Sequence, residues 1–156
     1  MRILGIDPGT GILGFGVIDI QKGKPQLVDG GVIRTPVKED DAVRLVTIFE
    51  ELSDIIAQTK PQIMSVEKLF FAQNVTTAMT VAQARGVVLL CGKQAGLELF
   101  EYTPQQIKQA LTGYGKADKK QMQEMVKVIL GLKEVPKPDD CADALAAAIC
   151  HSMNVS

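Results

Sequence analysis

Asp7, Glu67, Asp140 and Asp143 are the residues of this 156-residue chain whose placement invites chemistry. Asp7 closes the apolar run Ile3-Leu4-Gly5-Ile6 and leads into the turn Pro8-Gly9-Thr10-Gly11. Glu67 closes a second short run, Ile63-Met64-Ser65-Val66. A buried strand has no structural need of an acid at its end, whereas a site that must hold charge rigidly does. Asp140 and Asp143 are three residues apart in an Ala-rich stretch. That spacing puts both on one helical face, with Cβ atoms about 5–6 Å apart. Asp139 is four residues from Asp143 and could share the face, but its place after Pro138 predicts an N-cap. Asp140, in the first turn, has a capping reading too. Asp143, among Ala142, Ala144, Leu145 and Ala147, has no obvious structural use.

If the helix face packs near the strand ends, four carboxylates converge and raise one another's pKa. A divalent cation removes that repulsion, and an oxygen-only donor set suits Mg²⁺ or Mn²⁺. Two such ions about 4 Å apart can drive phosphodiester hydrolysis. Other catalytic supply is thin. His151 is the only histidine, and Cys91, Cys141 and Cys150 form no C-x-x-C pair, so a zinc site and a Ser-His-Asp triad are poorly provided for. The three cysteines are expected to be reduced core residues. Gly9, Thr10 and Gly11 could aim backbone N–H groups at a phosphate or could form a plain hairpin turn; both readings stand.

The elements that must position these acids follow from the pattern. Met1–Asp7, Leu13–Ile20 and Gln26–Arg34 read as strands, the third interrupted at Gly30-Gly31. Glu39-Asp40-Asp41 is expected to cap a helix carrying Leu45, Ile48, Phe49, Leu52, Ile55 and Ile56, ended by Lys60-Pro61. Ile63–Glu67 is a strand, and Phe70-Phe71 before Gln73-Asn74 reads as an exposed loop. A long helix runs to about Gln94, with Ala78, Ala82 and Gly86 on one face. That stripe is expected to pack on the sheet, a dimer contact being the alternative. Leu97–Tyr102 is a fifth strand, Thr103-Pro104 starts a helix, an amphipathic helix follows Gly113–Lys116, and Asp139–Asn154 is the last helix. The sum is an α/β domain, expected to be one domain over 1–156.

Apolar content of 46% argues for a folded core, and net charge of −1 does not advertise a nucleic-acid binder. Charge is uneven, however. Between Thr103 and Lys133, six lysines face only Asp118 and Glu124, a local excess of four. A basic face and an ordinary solvated helix both fit that excess. No apolar run is read as a membrane span and no signal peptide opens the chain, so a cytoplasmic protein is expected.

Together the motifs resemble the RuvC family of Holliday-junction resolvases. Ile-Leu-Gly-Ile-Asp-Pro-Gly at the start, Val66-Glu67 followed by Phe70, Gln83-Ala84-Arg85-Gly86, Gln106-Ile107-Lys108-Gln109 and Asp140-Cys141-Ala142-Asp143-Ala144-Leu145-Ala146 carry the likeness in order. The resemblance implies a ribonuclease H-like fold, a five-stranded mixed sheet flanked by helices on both faces. It implies a homodimer that makes paired symmetric nicks in four-way junction DNA with Mg²⁺ or Mn²⁺, two ions per site. It implies Asp7, Glu67, Asp140 and Asp143 as catalytic and metal-binding acids, and favours Asp140 over Asp139. Phe70 resembles the aromatic that enters the junction. Lys108 and Lys119 resemble lysines that contact phosphate, with Lys120 the local alternative to Lys119. Arg85 matches a family position and reads as a DNA, helix or dimer contact. The RuvA–RuvB branch-migration complex is a further implied partner. The sequence ends at Ser156 where many relatives continue, so contacts from such a tail are not expected. Rival readings are another ribonuclease H-like nuclease that processes ribosomal RNA precursors, a non-catalytic junction-binding module, and a small ATPase-like domain.

Overall fold

The computed structural model describes residues 1–9, 11–36, 38–68 and 75–155. The strands are β1 (Arg2–Asp7), β2 (Ile12–Gln21), β3 (Lys24–Arg34), β4 (Ile63–Glu67) and β5 (Glu98–Tyr102). The helices are α1 (Asp41–Thr59), α2 (Val75–Gln94), α3 (Pro104–Thr112), α4 (Lys119–Leu130) and α5 (Asp139–Asn154).

The strands form one mixed sheet in the order β3-β2-β1-β4-β5. β1 pairs antiparallel with β2 and parallel with β4, and β4 pairs parallel with β5. Central β1 is covered on both faces, which is why its sequence is apolar at successive positions. Leu4, Ile6, Phe15, Val17, Met64 and Val66 point to one face and pack with Ile48, Leu52 and Ile56 of α1 and Ala84, Val88 and Cys91 of α2. Ile3, Ile18 and Ile63 point to the other and pack under α3, α4 and α5. The fold is the α/β sheet with helices on both faces that the sequence and its resemblance imply.

Helix boundaries follow local chemistry. Thr103 and Asp118 each close a capping box, with Gln106 and Gln121 returning the bond, and Gly113 and Gly131 end α3 and α4 in the left-handed conformation. The three cysteines are free and buried, as expected.

Four expectations need correction. β3 is not interrupted at Gly30-Gly31, which both stay in the ladder; its irregularity is a bulge at Val28, left unpaired between Asp29, opposite Val17, and Leu27, opposite Ile18. The acidic triplet does not cap α1: Asp40 occupies the N-cap without a side-chain hydrogen bond, and Asp41 instead lies 3.8 Å from Arg44 one turn on. The stripe of small residues on α2 does not pack on the sheet. Val81, Ala84, Val88 and Cys91 face inward, whereas Ala82 and Gly86 are exposed. Larger apolar side chains gain more from burial than Ala or Gly, and they fix the phase of the helix. Finally, α2 is long and apolar enough, by length and composition alone, to cross a membrane. Its inward residues are buried in the same cluster as those of the sheet and α1.

Candidate active site

Side chains alternate along a strand, so Asp7 shares a face with Ile3 and Gly5, and Glu67 with Ile63 and Ser65. That face is the one beneath α5. Gly5 lies against the Ala144 carbonyl, and Ser65 Oγ donates to the Ala147 carbonyl at 2.7 Å. Ile6 pairs with Val66 across the parallel ladder, so Asp7 and Glu67, one residue further on in each strand, end side by side.

α5 crosses the strands and brings the other two acids. Asp140 sits over Gly14, Leu145 over Gly16, Ala144 and Ala148 over Gly5, and Ala147 over Ser65. Gly14 is the partner of Asp7 in the antiparallel ladder. A methyl group on Gly14 would overlap the Asp140 carbonyl. A single missing side chain therefore sets how closely the Asp140 backbone approaches the strand paired with Asp7. Strand alternation puts Gly14 and Gly16 on one face but does not by itself assign them this role. The signal was present, since glycine at alternate strand positions marks close approach of another backbone.

The electrostatics of the cluster follow from burial. Asp7 is only 8% exposed. Burial, then a hydrogen bond with Glu67 and the charges of Glu67, Asp143 and Asp140, push its carboxyl up to about 10. Asp143 is pushed up to about 6, chiefly by burial, with Glu67, Asp140 and Asp139 adding to the rise and Lys119 opposing it. Without a cation, Asp7 thus keeps its proton in its hydrogen bond to Glu67, since burial and the neighbouring charges disfavour its ionised form.

A cleft of about 270 Å³ opens beside the acids, lined by Glu67, Asp143, Lys108, Lys119, Ile107 and Met122 among others. Lys108 and Lys119 therefore stand where an anion approaching the acids would meet them. Lys120 points into a neighbouring groove with Tyr114 and Met125. Asp139 is not an N-cap: Pro138 holds that position, and Asp139 accepts from Lys119 Nζ at 3.2 Å and Gln123 Nε2 at 3.1 Å. Asp140 makes no capping bond either, because no side chain caps α5. Arg85 is not brought to the cleft; it pairs with Glu101 of β5, its Nε 3.1 Å from Oε2. Phe70 and Thr10 lie outside the described residues.

Among the described residues no three acidic, cysteine or histidine side chains already stand as a closed cage for a metal ion. The donor chemistry still fits one. The acids are oxygen donors, Glu67 and Asp140 raise the proton affinity of Asp7 and Asp143, and Glu67 and Asp143 open onto the cleft. A hard divalent cation is the group that relieves such a cluster.

A family profile described as crossover junction endodeoxyribonuclease RuvC matches residues 3–151. The chain belongs to the RuvC family. The RuvC of Heliobacterium modesticaldum is 56% identical over 155 residues, covering 98% of this chain and 96% of that one. The RuvC of Brevibacillus brevis is 56% identical over 152 residues, covering 97% and 92%. Among solved structures, Thermus thermophilus RuvC in complex with Holliday junction substrate superposes with a TM-score of 0.94 at 38% identity, covering 99% of this chain and 94% of that one. The yeast mitochondrial Holliday junction resolvase Ydc2 shares the fold at 15% identity, with a TM-score of 0.70 over 97% of this chain and 77% of that one.

Proposed function

We infer that this protein is a crossover junction endodeoxyribonuclease that resolves four-way DNA junctions by paired hydrolysis of phosphodiester bonds during recombination and repair. The observation that carries the reading is the convergence of Asp7, Glu67, Asp140 and Asp143 beside a cleft walled by Lys108 and Lys119, in a chain more than half identical to RuvC proteins. On this reading residues 1–156 act as one nuclease domain in the cytoplasm.

Asp7, Glu67, Asp140 and Asp143 would hold Mg²⁺, or Mn²⁺ in its place, two ions per site. When bound, the ions lower the pKa of a water and offset charge on the leaving oxygen. Asp7, buried at the end of β1, fixes donor direction, and Asp143 presents its carboxylate to the cleft from α5. Lys108 and Lys119 hold the phosphate over the acids and neutralise its charge, which makes binding strongly salt-dependent. Hydrolysis leaves 5′-phosphate and 3′-hydroxyl ends. Phe70 stacks on a base at the opened crossover, a contact worth roughly 1–3 kcal/mol. Lys120 extends the phosphate contacts beyond the cleft, and Arg85, held by Glu101, adds to them at a distance from it.

The dimer is read from α2. Val75, Met79 and Leu90 are 77%, 61% and 51% exposed, and Ala82 and Gly86 lie between them in the helix. A row of apolar residues this exposed is a liability in a monomer. Two copies joined there on a two-fold axis would present two acid clusters to the two strands of a nearly symmetric junction. Branch migration by RuvA–RuvB is the process that would supply this substrate.

The test is cleavage of a mobile four-way junction against a linear duplex and a structured RNA of equal length, each with and without Mg²⁺. Paired nicks in the junction alone, dependent on Mg²⁺, are expected. Equal cutting of RNA, or junction binding with no cutting at any Mg²⁺ or Mn²⁺ concentration, would sink the reading.

A further inference from the structure

Tyr102 Oη lies 2.7 Å from His151 Nδ1, a contact the acids themselves do not use. Phe100 stacks against the same imidazole with ring centres 4.3 Å apart, and His151 is 1% exposed. The pair is costly to break, because the buried imidazole of His151 would lose this bond without regaining water. The two elements that carry the pair are therefore held in one relation.

Those elements are the ones that carry the acids. Tyr102 is the β5 residue beside Glu67 in the parallel ladder, and its carbonyl accepts from the Lys68 N–H at 2.7 Å. His151 is on α5, eight residues beyond Asp143, about 12 Å along the helix at roughly 1.5 Å per residue. One hydrogen bond thus joins the strand neighbour of Glu67 to the helix that bears Asp140 and Asp143. Ser65 Oγ to the Ala147 carbonyl is a second tether on the same half of the sheet. The other end of α5 rests on Gly14 and Gly5, where backbone approach is close and neither glycine has a side chain to bond to the helix. Glycine packing sets how close the helix lies to the sheet, and the directional bonds at the other end add a restraint along and around its axis.

We propose that the Tyr102–His151 hydrogen bond is a positioning device for the acid cluster: it fixes the separation of Glu67 from Asp140 and Asp143, and with it the affinity of the cluster for a divalent cation. The proposal rests on reading these acids as metal ligands. Neither Tyr102 nor His151 is given a part in the chemical step. Their influence is geometric, and misplacement of reacting groups by about 1 Å can cost on the order of a hundredfold in rate.

The test is calorimetric titration of Mn²⁺ into the DNA-free protein, with junction cleavage measured alongside. Tyr102→Phe keeps the ring and removes the hydroxyl. It is expected to weaken Mn²⁺ binding by about tenfold, the scale seen when supporting partners of metal sites are removed. The Mn²⁺ concentration for half-maximal cleavage should rise by the same factor, with metal-free junction affinity unchanged. His151→Asn keeps a hydrogen-bonding atom near the Nδ1 position and should retain most of the Mn²⁺ affinity, whereas His151→Leu should lose it. A Tyr102→Phe protein with a lower Tm but unaltered Mn²⁺ affinity and cleavage midpoint overturns the proposal. If Tyr102→Phe does not fold, the contrast between His151→Asn and His151→Leu decides the same question. Should the wild type bind Mn²⁺ but leave junctions uncut, the nuclease reading fails while the Tyr102 effect on Mn²⁺ still decides this proposal. If Asp7→Asn binds Mn²⁺ as tightly as the wild type, the acids are not the ligands and the proposal falls with that reading.

Discussion

Lys119 Nζ lies 3.2 Å from Asp139 Oδ2, which turns the first acid of α5 onto α4. Its neighbour Asp140 is one of the charges that raise the Asp7 carboxyl, and Asp139 is not. Two adjacent aspartates on one helix are thus divided between a surface ion pair and a buried cluster, because successive helical positions diverge by about 100°.

The division predicts different fates for the two residues. Asp140→Asn should lower single-turnover junction cleavage by a hundredfold or more, the scale of losing a group that acts only at the reacting centre. Asp139→Asn should leave it within about threefold. Both side chains of the Asp139 pair are more than half exposed, so its loss should cost at most about 1 kcal/mol of stability. Equal losses of cleavage in the two variants would mean that the pairing with Lys119 does not distinguish them.

Gly14→Ala tests the floor under α5. The added methyl meets the Asp140 backbone, and overpacking of this kind costs about 1–3 kcal/mol. Cleavage should fall further than stability, since the helix that yields carries Asp140 and Asp143. Chemical denaturation and single-turnover cleavage on the folded fraction separate the two effects. A loss of stability with full activity would show that α5 relaxes without moving its acids.

The acid cluster should make the metal-free protein less stable as pH rises. Asp7 and Asp143 have folded-state values raised to about 10 and about 6 from an ordinary value of 3.8. Between those limits the native state binds more protons than the unfolded chain, so stability is full below about pH 4 in these terms and is lost as pH climbs. Asp143 contributes the loss up to about pH 6 and Asp7 continues it above. Thermal melts in EDTA from pH 5 to 8.5 should show Tm falling, and Asp7→Asn should flatten the upper part. Mg²⁺ favours the charged carboxylates, so its stabilising effect should grow with pH. A level Tm in EDTA across this range would contradict raised values for Asp7 and Asp143.

The exposed row on α2 predicts a dimer that a single charge can split. Leu90→Glu, at a side chain 51% exposed, should shift sedimentation toward the monomer with little change in melting of the monomer fold. Paired nicking should give way to slow single nicks, because each copy then binds without its partner. A wild type that sediments as a monomer at all concentrations would remove this role for α2.

Most of the architecture is written in one-dimensional pattern. Alternation and length predict the five strands, 3.6-residue periodicity predicts the helices, and Thr103-Pro104 marks the start of α3. The acids at the ends of β1 and β4 stand out because they break apolar runs. What pattern misjudged was choice among locally equivalent options. Asp40 and Asp139 both sit where caps belong, yet neither side chain caps: one makes no capping bond and the other meets a lysine from another helix. Ala78, Ala82 and Gly86 form a regular stripe, but the phase of α2 was fixed by the larger residues that the sheet buries.

Residue type and spacing alone establish which residues are acidic, which end strands, and that Asp140 and Asp143 share a helical face. That this face meets the ends of β1 and β4 follows from packing across the sheet. That meeting depends on Gly14 and Gly5 admitting a helix backbone against the sheet, and on Ser65 and Tyr102 bonding to it from strands far away in sequence. Packing also parted Asp139 from Asp140, since a partner on another helix has no signature in local spacing. Contacts between segments distant in the chain are set by packing and buried hydrogen bonds, and these exist only once the sheet and α5 have come together.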